Sequence, residues 1–141
     1  MKPKISLALA DVSFRIENKK ILYNWIEGVV RSEKQSASEI SIILCSDEYL
    51  LDMNNRFLKH NYYTDIITFD YTEAGVIAGE LYVSIDRVKD NATKLKTDFK
   101  DELHRVIIHG VLHLCGYGDK TEKEKKEMRR KENQKLEMLK I

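Results

Sequence analysis

Between Asp101 and Asp119 the chain reads DELHRVIIHGVLHLCGYGD, and the reading of these residues decides the fold. Leu103, Val106, Ile107, Ile108, Val111, Leu112 and Leu114 leave little polar circumference, so the stretch predicts a helix buried on most sides. Asp101 is the expected N-cap, and Gly116, just past the last apolar residue, the expected left-handed stop. A helix this apolar has to be wrapped by other elements, and the rest of the chain supplies them.

Upstream, Ile66–Tyr71 and Leu81–Ile85 read as two strands whose linker contains Gly75 and Gly79, a hairpin pattern, followed by a helix capped by Asp86 that carries Val88, Ala92 and Leu95. Glu39–Cys45 is a β-branched strand that hands over at Ser46–Asp47 to a helix reaching about Leu58. Before it, Ile21, Leu22, Trp25, Ile26, Val29 and Val30 recur at helical spacing over Asn18–Arg31, and Ile5–Leu9 alternates as a short first strand. Downstream, Thr121 and Glu124 match a capping box that opens a charged helix running towards Leu139. The order predicts the α+β class: a small mixed four-stranded sheet covered by about five helices, with residues 1–141 as one domain.

Composition narrows the function. At 141 residues, with 43% hydrophobic and 33% charged side chains, six glycines and one proline, the chain is sized for one core and excludes collagen-like and disordered classes. The net charge is +1, but nine Lys or Arg against five Glu from Lys120 onward leave a tail of +4 on a body of −3. Two cysteines, Cys45 and Cys115, are too few for a disulfide scaffold or a four-thiolate zinc site and fit a reducing cytosol, with Cys115 expected in the core. No apolar run approaches the roughly 18 residues of a bilayer span, and the N-terminus lacks a cleavage signal, so the expectation is a cytoplasmic protein with no membrane partner.

The chemistry sits on the buried helix. His109 and His113, four residues apart, place both imidazoles on one face, and Asp119, five residues beyond His113 and past the Gly116 turn, can return a carboxylate to the same end. Two imidazoles and one carboxylate suit a single zinc ion, whose catalytic sites keep the fourth position for an acidified water, although the carboxylate admits another divalent metal. Against this stands the plain alternative of two hydrogen-bonded core histidines. His60 and His104 carry less weight; His104 falls off the metal face, as a surface residue or one behind the ligands. The position after the first histidine, where zinc peptidases of the HExxH kind carry their general base, is Gly110, which instead lets a strand or substrate approach the helix.

The stretch HGVLHLCGYGD, His109–Asp119, resembles the HGxLHLxGYDH signature of the YbeY family of rRNA-maturation endoribonucleases. Met53–Asp70 (MNNRFLKHNYYTDIITFD) is similar to that family's LNxxYR…TDVLSF block, and Gly79–Ile85 (GELYVSI) to its GDIxI strand, so the resemblance covers nearly the whole chain. It implies a zinc-dependent, single-strand-specific endoribonuclease acting in 3′-end maturation of small-subunit rRNA and in ribosome quality control, with rRNA and the small ribosomal subunit as partners. By it His109 and His113 map onto the first two zinc ligands, while Asp119 stands where the family has a third histidine. The family arginine falls on Leu58, leaving Arg56, Lys59 or His60 to bring positive charge to a scissile phosphate. Thr64–Asp65 matches the TD pair, where a turn and strand cap is as good a reading as RNA contact, and Glu80 stands in for an aspartate on the cleft's strand. The rivals are a metallopeptidase-like hydrolase and a non-catalytic ribosome assembly factor with a structural metal.

The C-terminal helix reads first as a solvated face with i,i+4 Glu–Lys pairs, and second as a phosphate-binding strip of Lys125, Lys126, Arg129, Arg130 and Lys131. With few aromatics expected at the surface, the sequence offers no base-reading pattern.

Overall fold

The computed structural model describes residues 3–139. In chain order the elements are β1 (Lys4–Leu9), α1 (Lys19–Ser32), β2 (Ser36–Cys45), α2 (Asp47–Leu58), β3 (Ile66–Asp70), β4 (Val76–Ser84), α3 (Ile85–Leu95), α4 (Phe99–Leu114) and α5 (Glu122–Leu136). The four strands form one mixed sheet in the order β1-β2-β4-β3. β1 and β4 flank β2 in parallel, and β3 pairs antiparallel with β4 as the hairpin expected. The architecture is the α+β one read from the sequence.

The two faces of the sheet are treated differently. Ile40, Ile42 and Leu44 of β2 and Ile77, Leu81 and Val83 of β4 are fully buried against α1 and α4 in the main core. On the opposite face, α2 seals only a small cluster of Cys45, Leu50 and Ile67. Helix α4 lies so tight on the sheet that a Cβ at Gly110 would sit 2.7 Å from Ile66 Cδ1 and 2.9 Å from Leu81 Cδ2. The strand, not a substrate, takes the space that this glycine leaves.

Pairing moves several boundaries. β2 begins at Ser36 and β4 at Val76, because the backbones of their leading residues pair with each other, Ser36 opposite Val76. Gly79, read as part of the turn, is therefore a strand residue opposite Asp70, and the turn is left to Gly75 at φ +79°. Ser84 rather than Asp86 caps α3, its Oγ accepting from the Arg87 N–H, while Asp86 accepts from the Asp47 N–H. Asp98 rather than Asp101 stands at the N-cap of α4, and α5 stops at Leu136, three residues short of Leu139. The Thr121–Glu124 capping box forms as read.

Candidate metal centre

Helix α4 ends at Leu114, and Gly116, at φ +111°, turns the chain back so that the Tyr117 N–H donates to the Leu112 carbonyl. That reversal delivers Asp119 over the last turn of the helix. Nε2 of His109 and Nε2 of His113 are 3.0 Å apart, and Asp119 Oδ2 lies 3.2 Å from the first and 3.5 Å from the second. For a tetrahedral zinc with bonds of about 2.05 Å, neighbouring ligand atoms are about 3.3 Å apart. The triangle has that size without rearrangement.

The opposite ring nitrogens are tied down. His113 Nδ1 donates to the Tyr117 carbonyl at 2.8 Å, and His109 Nδ1 to Glu132 Oε2 at 2.7 Å. A carbonyl only accepts, so the Nδ1 of a neutral His113 keeps the proton and its Nε2 presents a lone pair; the carboxylate of Glu132 fixes His109 in the same way. Two lone pairs and a carboxylate oxygen then converge on one point, a set that a cation or a shared proton must neutralise. The residues present therefore fit one divalent ion, and the imidazole pair suits zinc better than magnesium.

Nothing local in the sequence singles out Glu132, and the expectation of a solvated face on its helix holds only in part. In fact α5 buries Met128, Glu132 and Lys135. Burial opposes ionisation of Glu132, but hydrogen bonds from His109 and Arg105 outweigh it and hold the carboxyl below its usual range. Burial likewise pushes His109 down, while the hydrogen bond to Glu132 and the charges of Glu132, Asp119 and Asp65 more than reverse it, so the imidazole sits above its ordinary value. Lys131 and Lys135 both reach Glu33, at the end of α1, at 3.2 and 2.8 Å, and the Tyr117 hydroxyl donates to the same carboxylate. Glu33 thus holds both the loop that orients His113 and the helix that orients His109.

Beside the cluster, Asp65, Glu102, Arg105, Lys125, Arg129 and Glu132 line a cleft of about 440 Å³. Burial raises the carboxyl of Asp65, against the charge of His109. Of the tail cations, Lys125 and Arg129 face this cleft, Arg130 is paired with Glu127, and Lys131 is engaged by Glu33. The cations read as substitutes for the family arginine lie elsewhere. Arg56 rests on Phe57 with its guanidinium 5.9 Å from the ring centroid, and His60 stacks on Tyr62. Glu80 points to the α2 face of the sheet and accepts from the Tyr71 hydroxyl, away from the cleft. His104 packs edge-on against Trp25, and Cys115 joins the rim of the main core, its thiol pushed up to about 11 by burial. The surface is not poor in aromatics: Tyr49, Phe57, Tyr62, Tyr63 and Tyr71 are all exposed. A sheet order that leaves one face largely open could not be read from spacing.

Fold and cluster together define a class: a small α+β domain with a candidate single-ion centre beside a charged cleft. The family described as Endoribonuclease YbeY matches residues 8–140. The chain is 51% identical over 132 residues to a protein of Cytophaga hutchinsonii named Endoribonuclease YbeY, covering 93% of this chain and 92% of the relative. It is 46% identical over 129 residues to a protein of that name from Parabacteroides distasonis, covering 92% and 91%. A solution structure of a Thermotoga maritima protein superposes with a TM-score of 0.67 at 30% identity, covering 96% of this chain and 88% of that one. The chain belongs to the YbeY endoribonuclease family. Among the described residues no helix is long and apolar enough to cross a membrane.

Proposed function

We propose that this protein is a zinc-dependent, single-strand-specific endoribonuclease that works in the cytoplasm on rRNA of the small ribosomal subunit, in 3′-end maturation and quality control. The observation that carries the reading is the convergence of His109 Nε2, His113 Nε2 and Asp119 Oδ2 within 3.5 Å, each imidazole locked from behind. When bound, the ion supplies Lewis acidity and an acidified water at neutral pH. The chain supplies the rest. Lys125 and Arg129 offer positive charge at the cleft to a phosphodiester, Arg105 steadies Glu132 behind His109, and the Asp65 carboxyl on the cleft wall can hold a proton. At position 110 a glutamate base has no room against Ile66 and Leu81, which disfavours the peptidase alternative.

The test is elemental analysis of protein purified without chelator or histidine tag, beside His113→Ala and Asp119→Ala, followed by cleavage of single-stranded and duplex RNA. Near-stoichiometric zinc in the wild type, lost in both variants, with single-strand cleavage that chelation abolishes and zinc restores, is the expected result. A metal-free wild type, or an Asp119→Ala protein that keeps its zinc, overturns the three-ligand centre. RNA binding without cleavage, and loss of fold on chelation, would instead mark an assembly factor with a structural metal.

A further inference from the structure

Phe69 and Glu80 are direct partners across the β3–β4 hairpin, as are Ile67 and Tyr82, so all four project from one face of the sheet. This is the face turned away from α4, and α2 closes only the part of it at Cys45 and Ile67. What remains is an open trough of about 560 Å³ between α2 and the hairpin, lined by Tyr49, Arg56, Phe57, Phe69, Tyr71 and Tyr82. Phe57 is 61% exposed and Tyr71 58%. Phe57, Phe69 and Tyr82 form a chain of perpendicular rings, with centroids 6.1 and 5.8 Å apart. An exposed aromatic cluster of this extent marks a binding surface.

We propose that this trough is a base-stacking subsite for single-stranded RNA; the proposal rests on the endoribonuclease reading above. Aromatic faces beside an arginine accept any base by stacking, which a nuclease needs in order to hold unpaired strands without a sequence code. Arg56 stands at the rim with its side chain 68% exposed. The two acids of the trough are engaged, Asp52 with Arg56 at 3.4 Å and Glu80 with the Tyr71 hydroxyl at 2.9 Å. The trough and the cleft open on opposite faces of the sheet and share the β3 edge. β3 is an edge strand; Asp65 and Ile66 at its start line the cleft at His109, and Phe69, about 10 Å further along, lines the trough. An RNA strand passing around that edge can occupy both.

The experiment compares binding of a fluorescein-labelled single-stranded RNA of about 12 nucleotides with that of an abasic oligomer of the same length and charge, by anisotropy at fixed salt. The full chain and the Phe57→Ala/Tyr71→Ala and Phe57→Trp variants are measured, with thermal melting as the check on folding. The wild type should prefer the base-bearing strand by about fivefold or more, the double alanine variant should lose that preference while binding zinc normally, and Phe57→Trp should keep it. Equal affinity of the wild type for the two oligomers, or a double variant that binds RNA as the wild type does, overturns the subsite alone if the wild type still cleaves RNA. A wild type that neither binds nor cleaves RNA overturns the endoribonuclease reading and the subsite together. A double variant that turns a dimer into a monomer at unchanged RNA affinity assigns the trough to a second copy of the chain and overturns the proposal.

Discussion

The side chains that orient His109 and His113 matter as much as the two histidines themselves. Replacing Glu132 by Gln keeps a hydrogen-bond acceptor for His109 but removes the charge that strengthens its basicity. Zinc affinity should fall about 10- to 100-fold, as read by competition with a chromophoric chelator. Glu33 acts one step further out. Although burial opposes it, hydrogen bonds from Lys135, Tyr117 and Lys131 take its carboxyl from an ordinary 4.5 down to about 2. A depressed carboxyl stabilises the fold fully above the unfolded value, and that stability is lost as pH falls from about 4.5 towards 2. The loss is on the order of 3 kcal/mol. Urea denaturation of the wild type at pH 6 and pH 3 should show about 2 kcal/mol of it, the remainder going below pH 3, and Glu33→Gln should shrink the difference by that amount. His109, His113 and Asp119 were legible because i,i+4 spacing and a glycine turn are local signals. Glu132 and Glu33 were not, because their partners lie 23 residues away at His109 and 98 to 102 residues away at Lys131 and Lys135.

Element boundaries answer to pairing and close approach. A Cβ at Gly79 would meet the Phe69 carbonyl oxygen at 2.6 Å and Leu114 Cδ2 at 2.7 Å. The first of these is backbone and cannot swing aside, so Gly79→Ala should destabilise by about 2–3 kcal/mol, visible as a lower urea midpoint at unchanged slope. Lys96, the C-cap of α3, holds φ +56° without being glycine and is exposed. Lys96→Gly should raise stability by about 0.5–1 kcal/mol, since the left-handed strain exceeds the entropy that glycine adds to the unfolded chain. The helices α1, α2 and α4 were readable from apolar stripes and caps, whereas the early starts of β2 and β4 were hidden because Ser36 and Ala78 owe their strand conformation to a neighbour and not to their own propensity.

At the scale of the molecule, a net charge of +1 gives RNA little long-range attraction, so phosphate contacts at the cleft fall to its local cations Lys125 and Arg129. If both meet phosphates, log affinity for single-stranded RNA should fall against log salt with a slope of about −1.4, and Lys125→Ala should make it shallower by about 0.7. A salt titration of the anisotropy signal checks both. The sequence by itself determined the α+β class, the buried α4 and the three groups that converge at its end, because each is written in the order of elements, in apolar periodicity or in the short spacing around one glycine turn. Tertiary structure alone decided that α5 supplies the carboxylate behind His109, that the family-like Glu80 faces away from the cleft, and that the rings of α2 and the hairpin share an open face. Those follow from strand order and helix docking, which bring together residues whose separation in sequence carries no periodic signal.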